Sequence, residues 1–184
     1  GELGYELYVD LKDAKKIYEL LIEKGKDFNL SNCGMHSMDI MRMESGFLHW
    51  GHDISPEENQ FQAGLSFTIS NKKDVDFIGK QSLEKIKKEN QKSRFTMFTL
   101  KDSEPGKPLL LHDEPIYIDD KIIGRSTSGN YSFNFKKNLV FGYIKSELSN
   151  DELKSKNLFI EVEKQKYPIV VQSGPLKRTD FKNL

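Results

Sequence analysis

The sequence predicts an α+β protein in which helices dominate the first half of the chain and strands dominate the second half. In the first half, apolar residues recur mainly every three or four positions. In the second half, they alternate at period two in short segments that polar turns separate. The composition changes near residues 90–93, which divides the chain into a predicted domain 1–92 and a predicted domain 93–184.

The composition limits the classes of partner. Of 184 residues, 36% are hydrophobic and 30% are charged, and 28 basic side chains balance 28 acidic ones. A net charge of zero gives no preference for nucleic acid or for an anionic membrane, so we expect neither as a partner. The single cysteine, Cys33, excludes a disulfide within the chain and favours a reducing compartment, so we expect a cytoplasmic location.

The chain begins with a predicted strand over residues 1–9. Leu3, Tyr5, Leu7 and Val9 alternate with polar or small residues. A strand with one apolar face needs a neighbouring strand and a covering layer. Since no initiator methionine or lead-in precedes it, we expect the chain to be a piece of a longer protein.

Three helices are predicted. In the first, Ala14, Ile17, Tyr18 and Leu21 follow the i, i+3, i+4, i+7 pattern, and Gly25 ends the helix. The second covers residues 35–44 and carries several methionines, which we expect to be core. A strand over 64–70 and a third helix over 76–90 follow. The side chains expected on the buried face of the third helix are Phe77, Ile78, Leu83 and Ile86.

Six strands are predicted in the second half. They cover residues 94–100, 115–118, 122–125, 138–144, 158–163 and 167–172. Polar connections at 119–121 and 164–166 join two pairs of them and are typical of hairpins. Short strands at this spacing predict a small barrel or a sandwich.

The histidines and the cysteine do not form a recognisable metal or nucleophile motif. His49, His52 and Asp53 are close in sequence, but a zinc site needs three or four converging ligands, and Gly51 indicates a loop. We therefore expect no metal. A catalytic thiol needs a nearby base and an electropositive setting, and nothing beyond His36, three residues after Cys33, supports such a pair, so we interpret Cys33 as structural or incidental.

Glu6 is a candidate ligand contact. In the predicted strand it lies on the face opposite Leu7. A carboxylate at such a position is either solvated or accepts N–H donors from a ligand, and a pterin-like ring presents adjacent N–H donors.

Several short motifs occur in a fixed order along nearly the whole chain. They are residues 1–7 (GELGYEL), 41–46 (MRMESG), 50–54 (WGHDI), 63–65 (AGL), 76–80 (DFIGK), 127–129 (TSG) and 138–143 (NLVFGY). Their order and spacing resemble the glycine cleavage T protein family of tetrahydrofolate-dependent aminomethyltransferases. Trp50 and residues 76–83, 128–132 and 167–168 are similar to the folate-binding domain of dimethylglycine and sarcosine dehydrogenases.

This resemblance implies that residues 1–92 are the end of a ferredoxin-like domain and that residues 93–184 form a small C-terminal antiparallel β-barrel. The implied function is transfer of a one-carbon unit from an N-methyl or aminomethyl donor to tetrahydrofolate. The family's catalytic aspartate lies upstream, so no catalytic residue is assigned in this chain, and we expect the fragment alone to be inactive. The implied partners are the missing N-terminal half or a flavin domain with FAD. Self-association of the fragment is also open.

The resemblance also implies ligand contacts. Glu6 matches the glutamate that binds the pterin, and Phe181 aligns with a ligand-contacting tyrosine, keeping the ring without the hydroxyl. Trp50 is either an aromatic wall for the folate or part of the core.

Three positions on the second helix qualify the resemblance. Met38 aligns with the T protein's folate-binding arginine, which favours the dehydrogenase branch. Arg42 and Glu44 match family positions as a structural ion pair or as ligand contacts. Two alternatives therefore stay open: a binding or interaction module of the same fold without transfer activity, and a demethylase of methylated sulfur compounds.

Overall fold

The structure, a computed structural model, describes residues 4–69 and 76–176 and confirms the α+β class with a C-terminal barrel. Its helices are α1 (Leu11–Gly25), α2 (Met35–Glu44), α3 (Lys80–Lys88) and α4 (Asn150–Lys154). Its strands are β1 (Ser93–Leu100), β2 (Pro115–Ile118), β3 (Lys121–Ser132), β4 (Lys137–Lys145), β5 (Leu158–Val162) and β6 (Gln165–Gln172). Within these residues, no helix combines the length and the apolar character that crossing a membrane requires.

The six strands close into an antiparallel barrel rather than a sandwich. Their order is β1-β4-β3-β2-β5-β6, and β1 pairs with β6 to complete the circle, with Leu100 opposite Ile169. Alternate residues of each strand point inwards and form the core, which includes Phe98, Leu100, Ile116, Ile123, Val140, Ile144, Leu158, Ile160, Ile169 and Val171. Closure removes the exposed strand edges that an open sheet would present.

The two predicted hairpins are confirmed, although their connections are shorter than expected. Asp119 and Asp120 join β2 to β3, and Glu163 and Lys164 join β5 to β6. Both residues of the second connection have positive φ, 50° and 64°. Two-residue turns with this backbone match the twist of paired strands.

Helix α2 packs on the outside of the barrel. Ile40 and Met43 join Leu139 and Phe141 of β4 in a second apolar cluster. This contact positions the C-terminal half of α2 against β3 and β4. The domain boundary expected between residues 92 and 93 stays a prediction.

The predicted N-terminal strand is wrong for the residues that the structure describes. Residues 4–10 form no regular secondary structure, while residues 1–3 lie outside the described part. Tyr5 and Leu7 are 85% and 60% exposed. A segment with an alternating pattern forms a stable β-strand only when another strand pairs with it. No strand within 4–69 or 76–176 pairs with this segment.

The strand predicted over residues 64–70 is also wrong, as far as the structure describes it; Ser70 lies outside the described residues. Gly64 has a φ of +71°, which turns the chain. The backbone N–H of Leu65 then donates to the carbonyl of Gln60 at 2.8 Å. A 3₁₀ helix, Ser66–Thr68, follows in place of an extended segment.

Helix α3 begins later than predicted. Gly79 precedes the helix with a φ of +91°, which is not a helical backbone conformation. The helix therefore does not extend through Gly79 to the residues before it. Phe77 and Ile78 therefore lie outside the helix, and both side chains are exposed rather than buried. The short helix α4 was not predicted; it begins at a capping box formed by Ser149 and Glu152.

Candidate functional site

A buried carboxylate, Glu44, anchors the end of α2 to the barrel. It accepts hydrogen bonds from Ser132 Oγ at 2.6 Å and from Asn134 Nδ2 at 2.9 Å. Burying a carboxylate costs free energy unless hydrogen-bond donors surround it, so these contacts fix α2 against the β3–β4 turn. Glu44 does not pair with Arg42, since residues two positions apart lie on different sides of a helix.

A second buried carboxylate, Asp53, connects three segments of the chain. It accepts from the backbone N–H of His49 at 2.9 Å, from Thr127 Oγ1 at 2.5 Å and from Ser128 Oγ at 2.8 Å. It also forms a short ion pair with Arg42. A bulge in β3 between Ser126 and Ser128 shifts the strand register at this point. Asp53 therefore holds α2, the 49–53 loop and β3 together.

Arg42 is structural, because its donors are already used. Nη2 donates to Asp39 Oδ1 at 2.7 Å and to Ser128 Oγ at 2.8 Å, and Nε donates to the same Asp39 oxygen at 2.9 Å. Nη1 donates to Asp53 and to the carbonyl of Phe47. The ion-pair interpretation of Arg42 is therefore supported with Asp39 and Asp53 as partners.

A cleft of about 470 Å³ lies between α2 and the barrel. We call it the histidine cleft, and it is lined by Met35, His36, Met38, Asp39, Arg42, Leu48, His49, His52, Leu109, Leu110, Leu111, His112, Thr127, Ser128, Gly129 and Asn130. Gly129 lets Leu110 seat against β3, because a side chain at 129 would collide with the Leu110 side chain. A concave, mostly apolar surface with a few polar groups is typical of a ligand site.

A second cleft, of about 640 Å³, adjoins the first at His52, His112 and Thr127. We call it the tyrosine cleft, and its charged and polar lining includes Glu58, Lys92, Arg125, Tyr143 and Lys145.

Tyr143 is the unusual group of the tyrosine cleft. Its hydroxyl is buried and has no hydrogen-bond partner among the described residues. Burial, together with the carboxylates of Glu58 and Asp53, raises the pKa of Tyr143 well above its usual value of 10.0. The phenol therefore stays protonated as an O–H donor.

The structure does not bring the sequence-predicted ligand contacts together at either cleft. Glu6 is exposed and accepts a hydrogen bond from Tyr8 Oη at 2.5 Å, which raises the pKa of that tyrosine. Trp50 is 65% exposed, so it is not part of the core. Phe181 lies outside the described residues.

The histidine-rich loop does not gather a metal-ligand set. The rings of His49 and His52 lie with their centroids 4.5 Å apart and tilted by 44°, and the oxygens of Asp53 are occupied by protein donors. Within residues 4–69 and 76–176, no group of three or more histidine, cysteine or carboxylate side chains is arranged to hold a metal ion.

Sequence reasoning missed Asp53, Thr127 and Tyr143 as members of the clefts, although all three fall inside motifs that carried the resemblance. The signal in the sequence was the group of small hydroxyl residues at 126–128, which is unusual in a buried strand. Only the folded structure shows that Asp53 is the partner of these hydroxyl groups, because it lies 74 residues from Thr127 in the sequence.

Two family models match this chain. The GCVT N-terminal domain matches residues 1–73, and the glycine cleavage T-protein C-terminal barrel domain matches residues 94–177. Among solved structures, aminomethyltransferase T from Bartonella henselae superimposes with a TM-score of 0.74 at 20% identity, over 92% of this chain and 45% of that protein. This likeness supports the fold.

Curated relatives include enzymes of three kinds. Mitochondrial dimethylglycine dehydrogenase of Homo sapiens is 33% identical over 182 residues, which are 98% of this chain and 20% of that protein. An aminomethyltransferase of Symbiobacterium thermophilum is 33% identical over 144 residues, 78% of this chain and 37% of that protein. The formaldehyde-forming 4-methylaminobutanoate oxidase of Paenarthrobacter nicotinovorans is 41% identical over 131 residues, 71% of this chain and 16% of that protein. The chain thus spans about a fifth of the dehydrogenase.

Proposed function

We propose that this chain, which belongs to the glycine cleavage T-protein family, is part of an enzyme that passes a one-carbon unit to tetrahydrofolate. The observation that carries the proposal is the match along almost the entire chain to dimethylglycine dehydrogenase, joined by matches to aminomethyltransferases. The names of these relatives describe chemistry at a carbon bonded to an amine nitrogen. The proposed donor is accordingly an N-methyl or aminomethyl compound.

Glu6 is chemically suited to the pterin. Its Oε2 accepts from Tyr8, whereas Oε1 has no hydrogen-bond partner in the parts of the chain that the structure describes. An exposed carboxylate oxygen of this kind can accept pterin N–H donors. The exposure of Trp50 supports a role as an aromatic wall, and we propose that the ring of Phe181 adds to it.

Tetrahydrofolate, when bound, supplies the N5 and N10 nitrogens that accept the carbon. The proposed role of this chain is to bind the pterin and to orient it towards the donor. No catalytic residue is assigned within the chain, and we propose that the catalytic aspartate belongs to the preceding part of the polypeptide.

The exposed apolar side chains of the helical half support the presence of further covering polypeptide. They include Tyr5, Leu11, Phe28, Phe67 and Ile78. We interpret these exposed side chains as contacts for further polypeptide. We propose that the N-terminal half, or a flavin domain that carries FAD, covers them in the whole protein, and that the isolated chain is inactive or self-associates.

Calorimetric titration of the whole polypeptide with tetrahydrofolate tests the proposal. We expect Glu6→Ala to weaken binding about 10- to 100-fold, because it removes hydrogen bonds to a charged acceptor. Glu23→Ala, another exposed carboxylate of this half, is the matched control and should bind like the wild type. Equal affinity of Glu6→Ala and wild type would contradict the assignment of Glu6.

A turnover assay with N-methyl and aminomethyl donors separates the alternatives. Binding of tetrahydrofolate without turnover would favour a binding module, and turnover of a methylated sulfur donor would favour a demethylase. We also propose a cytoplasmic location. Since the human and rat dehydrogenase relatives are mitochondrial, cell fractionation must distinguish these two compartments.

A further inference from the structure

The tyrosine cleft lies on the outer face of the barrel. Its floor is formed where neighbouring ends of β1, β4 and β3 meet, and there Ser93 of β1 pairs with Lys145 of β4. Because Ile144 belongs to the barrel core, the side chains of Tyr143 and Lys145 on either side of it point outwards. Residues 51–58 form the opposite wall. The volume of about 640 Å³ is within the usual range of small-molecule sites.

Several charged groups of this cleft already have partners in the protein. The buried carboxylate of Asp53 is paired with Arg42. On the other side of the cleft, the carboxylate of Asp113 is paired with Arg125 and with the imidazole of His112. These groups are therefore engaged with one another.

Two carboxylates and two ammonium groups remain. Glu57 and Glu58 come from the wall, whereas Lys92 and Lys145 come from the floor. None of the four forms an ion pair with the residues that the structure describes, so they face the cleft without closing it. One oxygen of Glu58 accepts from the backbone N–H and from the Oγ of Ser55, at 2.8 and 2.7 Å, which fixes this carboxylate on the wall.

The phenol on the floor adds no charge between these two ends. Burial, together with the carboxylates of Glu58 and Asp53, raises the pKa of Tyr143, so the phenol is neutral at pH 7. The cleft therefore has an acidic side and a basic side with a neutral floor between them.

This distribution of charge disfavours a ligand with a single charge. The remaining charges of the cleft are two positive and two negative, so an anion attracted by the lysines is repelled by the glutamates, and the reverse holds for a cation. A molecule that carries both charges is attracted at both of its ends. Since Glu57, Lys92 and Lys145 are exposed, each contact is individually modest, and the preference depends on making both.

We propose that the tyrosine cleft binds a small zwitterion, with its carboxylate at Lys92 and Lys145 and its ammonium group at Glu57 and Glu58. The protein's own acidic and basic groups do not pair across the cleft, so the two charges of the ligand stand at opposite ends of a chain of several bonds. An ω-amino acid is the compound class that has this form. The site goes beyond the proposed function, because it requires no folate.

Calorimetry on the whole polypeptide with three probes of equal carbon number tests the requirement for both charges. The probes are 6-aminohexanoate, hexanoate and hexylamine. We expect 6-aminohexanoate to bind about fivefold or more tightly than either of the others, because each of them loses one ion contact and retains one repulsion. Glycine, whose two charges are adjacent, should bind more weakly than 6-aminohexanoate. Equal affinity for 6-aminohexanoate and either singly charged probe would overturn the proposal.

Substitutions assign the two ends. Lys92→Gln combined with Lys145→Gln should weaken binding of 6-aminohexanoate about fivefold and should not weaken binding of hexylamine. Glu57→Gln should weaken binding of 6-aminohexanoate and should not weaken binding of hexanoate. The matched control for the lysine pair is Lys121→Gln combined with Lys137→Gln, two exposed lysines of the barrel outside the cleft. The site is wrong if the cleft variants bind 6-aminohexanoate as the wild type does.

Hydrogen exchange of the wild type shows where the probe binds without any substitution. Saturating 6-aminohexanoate should slow backbone exchange in residues 51–58 and 143–145, and it should leave the β5–β6 turn at 163–164 unchanged. Protection confined to other parts of the polypeptide would place the zwitterion elsewhere and overturn the assignment to this cleft.

Discussion

The barrel and the helical half of the chain differ in how far their apolar residues are buried. Phe98 and Ile160 are completely buried within the barrel, whereas α1 and α3 bury none of their residues. The barrel closes on itself and covers its own core, while the apolar stripe of α1 has no covering layer among the described residues. The difference indicates that the barrel contains the interactions that hold it together, whereas α1 and α3 leave their apolar side chains uncovered by the described residues.

The same substitution should change the free energy of unfolding strongly in the barrel and very little in the helical half. We expect Phe98→Ala to lower the free energy of unfolding by about 3–5 kcal/mol, because it leaves a cavity in the barrel core. Phe28→Ala should change it by less than about 0.5 kcal/mol, because that ring is 83% exposed. Urea unfolding followed by circular dichroism measures both values. Similar losses for the two variants would contradict the contrast between the regions.

The connection between the two regions depends on Asp53. We expect Asp53→Ala to lower the free energy of unfolding by about 3–5 kcal/mol, because it leaves Arg42 without its buried partner. The matched control is Asp113→Ala, which removes an exposed partner of Arg125 and should cost about 1 kcal/mol or less. Urea unfolding of both variants checks the prediction. If the two substitutions cost the same, Asp53 does not hold α2 to the barrel.

Local sequence signals predicted all six barrel strands, although they covered only residues 122–125 of β3, which runs over Lys121–Ser132, and they predicted the N-terminal half less well. The hairpins were predictable because strand, turn and strand follow one another directly along the chain. Residues 4–9 carry an equally good alternating pattern, but an alternating pattern does not provide the strand that must pair with it. The positive φ of Gly64 and Gly79 redirected the chain at two further points, and a glycine in the sequence does not reveal its φ.

The candidate site was predictable only in part, because its interactions join distant residues. The motif at 50–54 contains Asp53, and the motif at 127–129 contains its hydroxyl partners, yet no sequence pattern states that they meet. The convergence of the four histidines likewise depends on how α2 packs against β3 and β4. Glu6 and Trp50 stay predictions, and Phe181 lies outside the described residues.

The smallest expected effect concerns Tyr143, which lines the tyrosine cleft where the two regions meet. Its hydroxyl is buried without a partner among the described residues, so Tyr143→Phe should raise the free energy of unfolding by about 1 kcal/mol. Tyr5→Phe, at an exposed ring, is the matched control and should change it very little. A loss of stability in Tyr143→Phe would show that the hydroxyl has a favourable contact.

The same phenol predicts a dependence on pH. The folded state raises the pKa of Tyr143 above its usual value of 10.0, so the folded state retains a proton that the unfolded state has released. The stability that this proton provides is complete below pH 10 and is lost as the pH rises above it. Urea unfolding between pH 9 and pH 11 should therefore show a steeper loss for wild type than for Tyr143→Phe. Parallel curves would mean that the phenol ionises as readily in the folded state as in the unfolded state, and that the meeting point of the two regions is open to water.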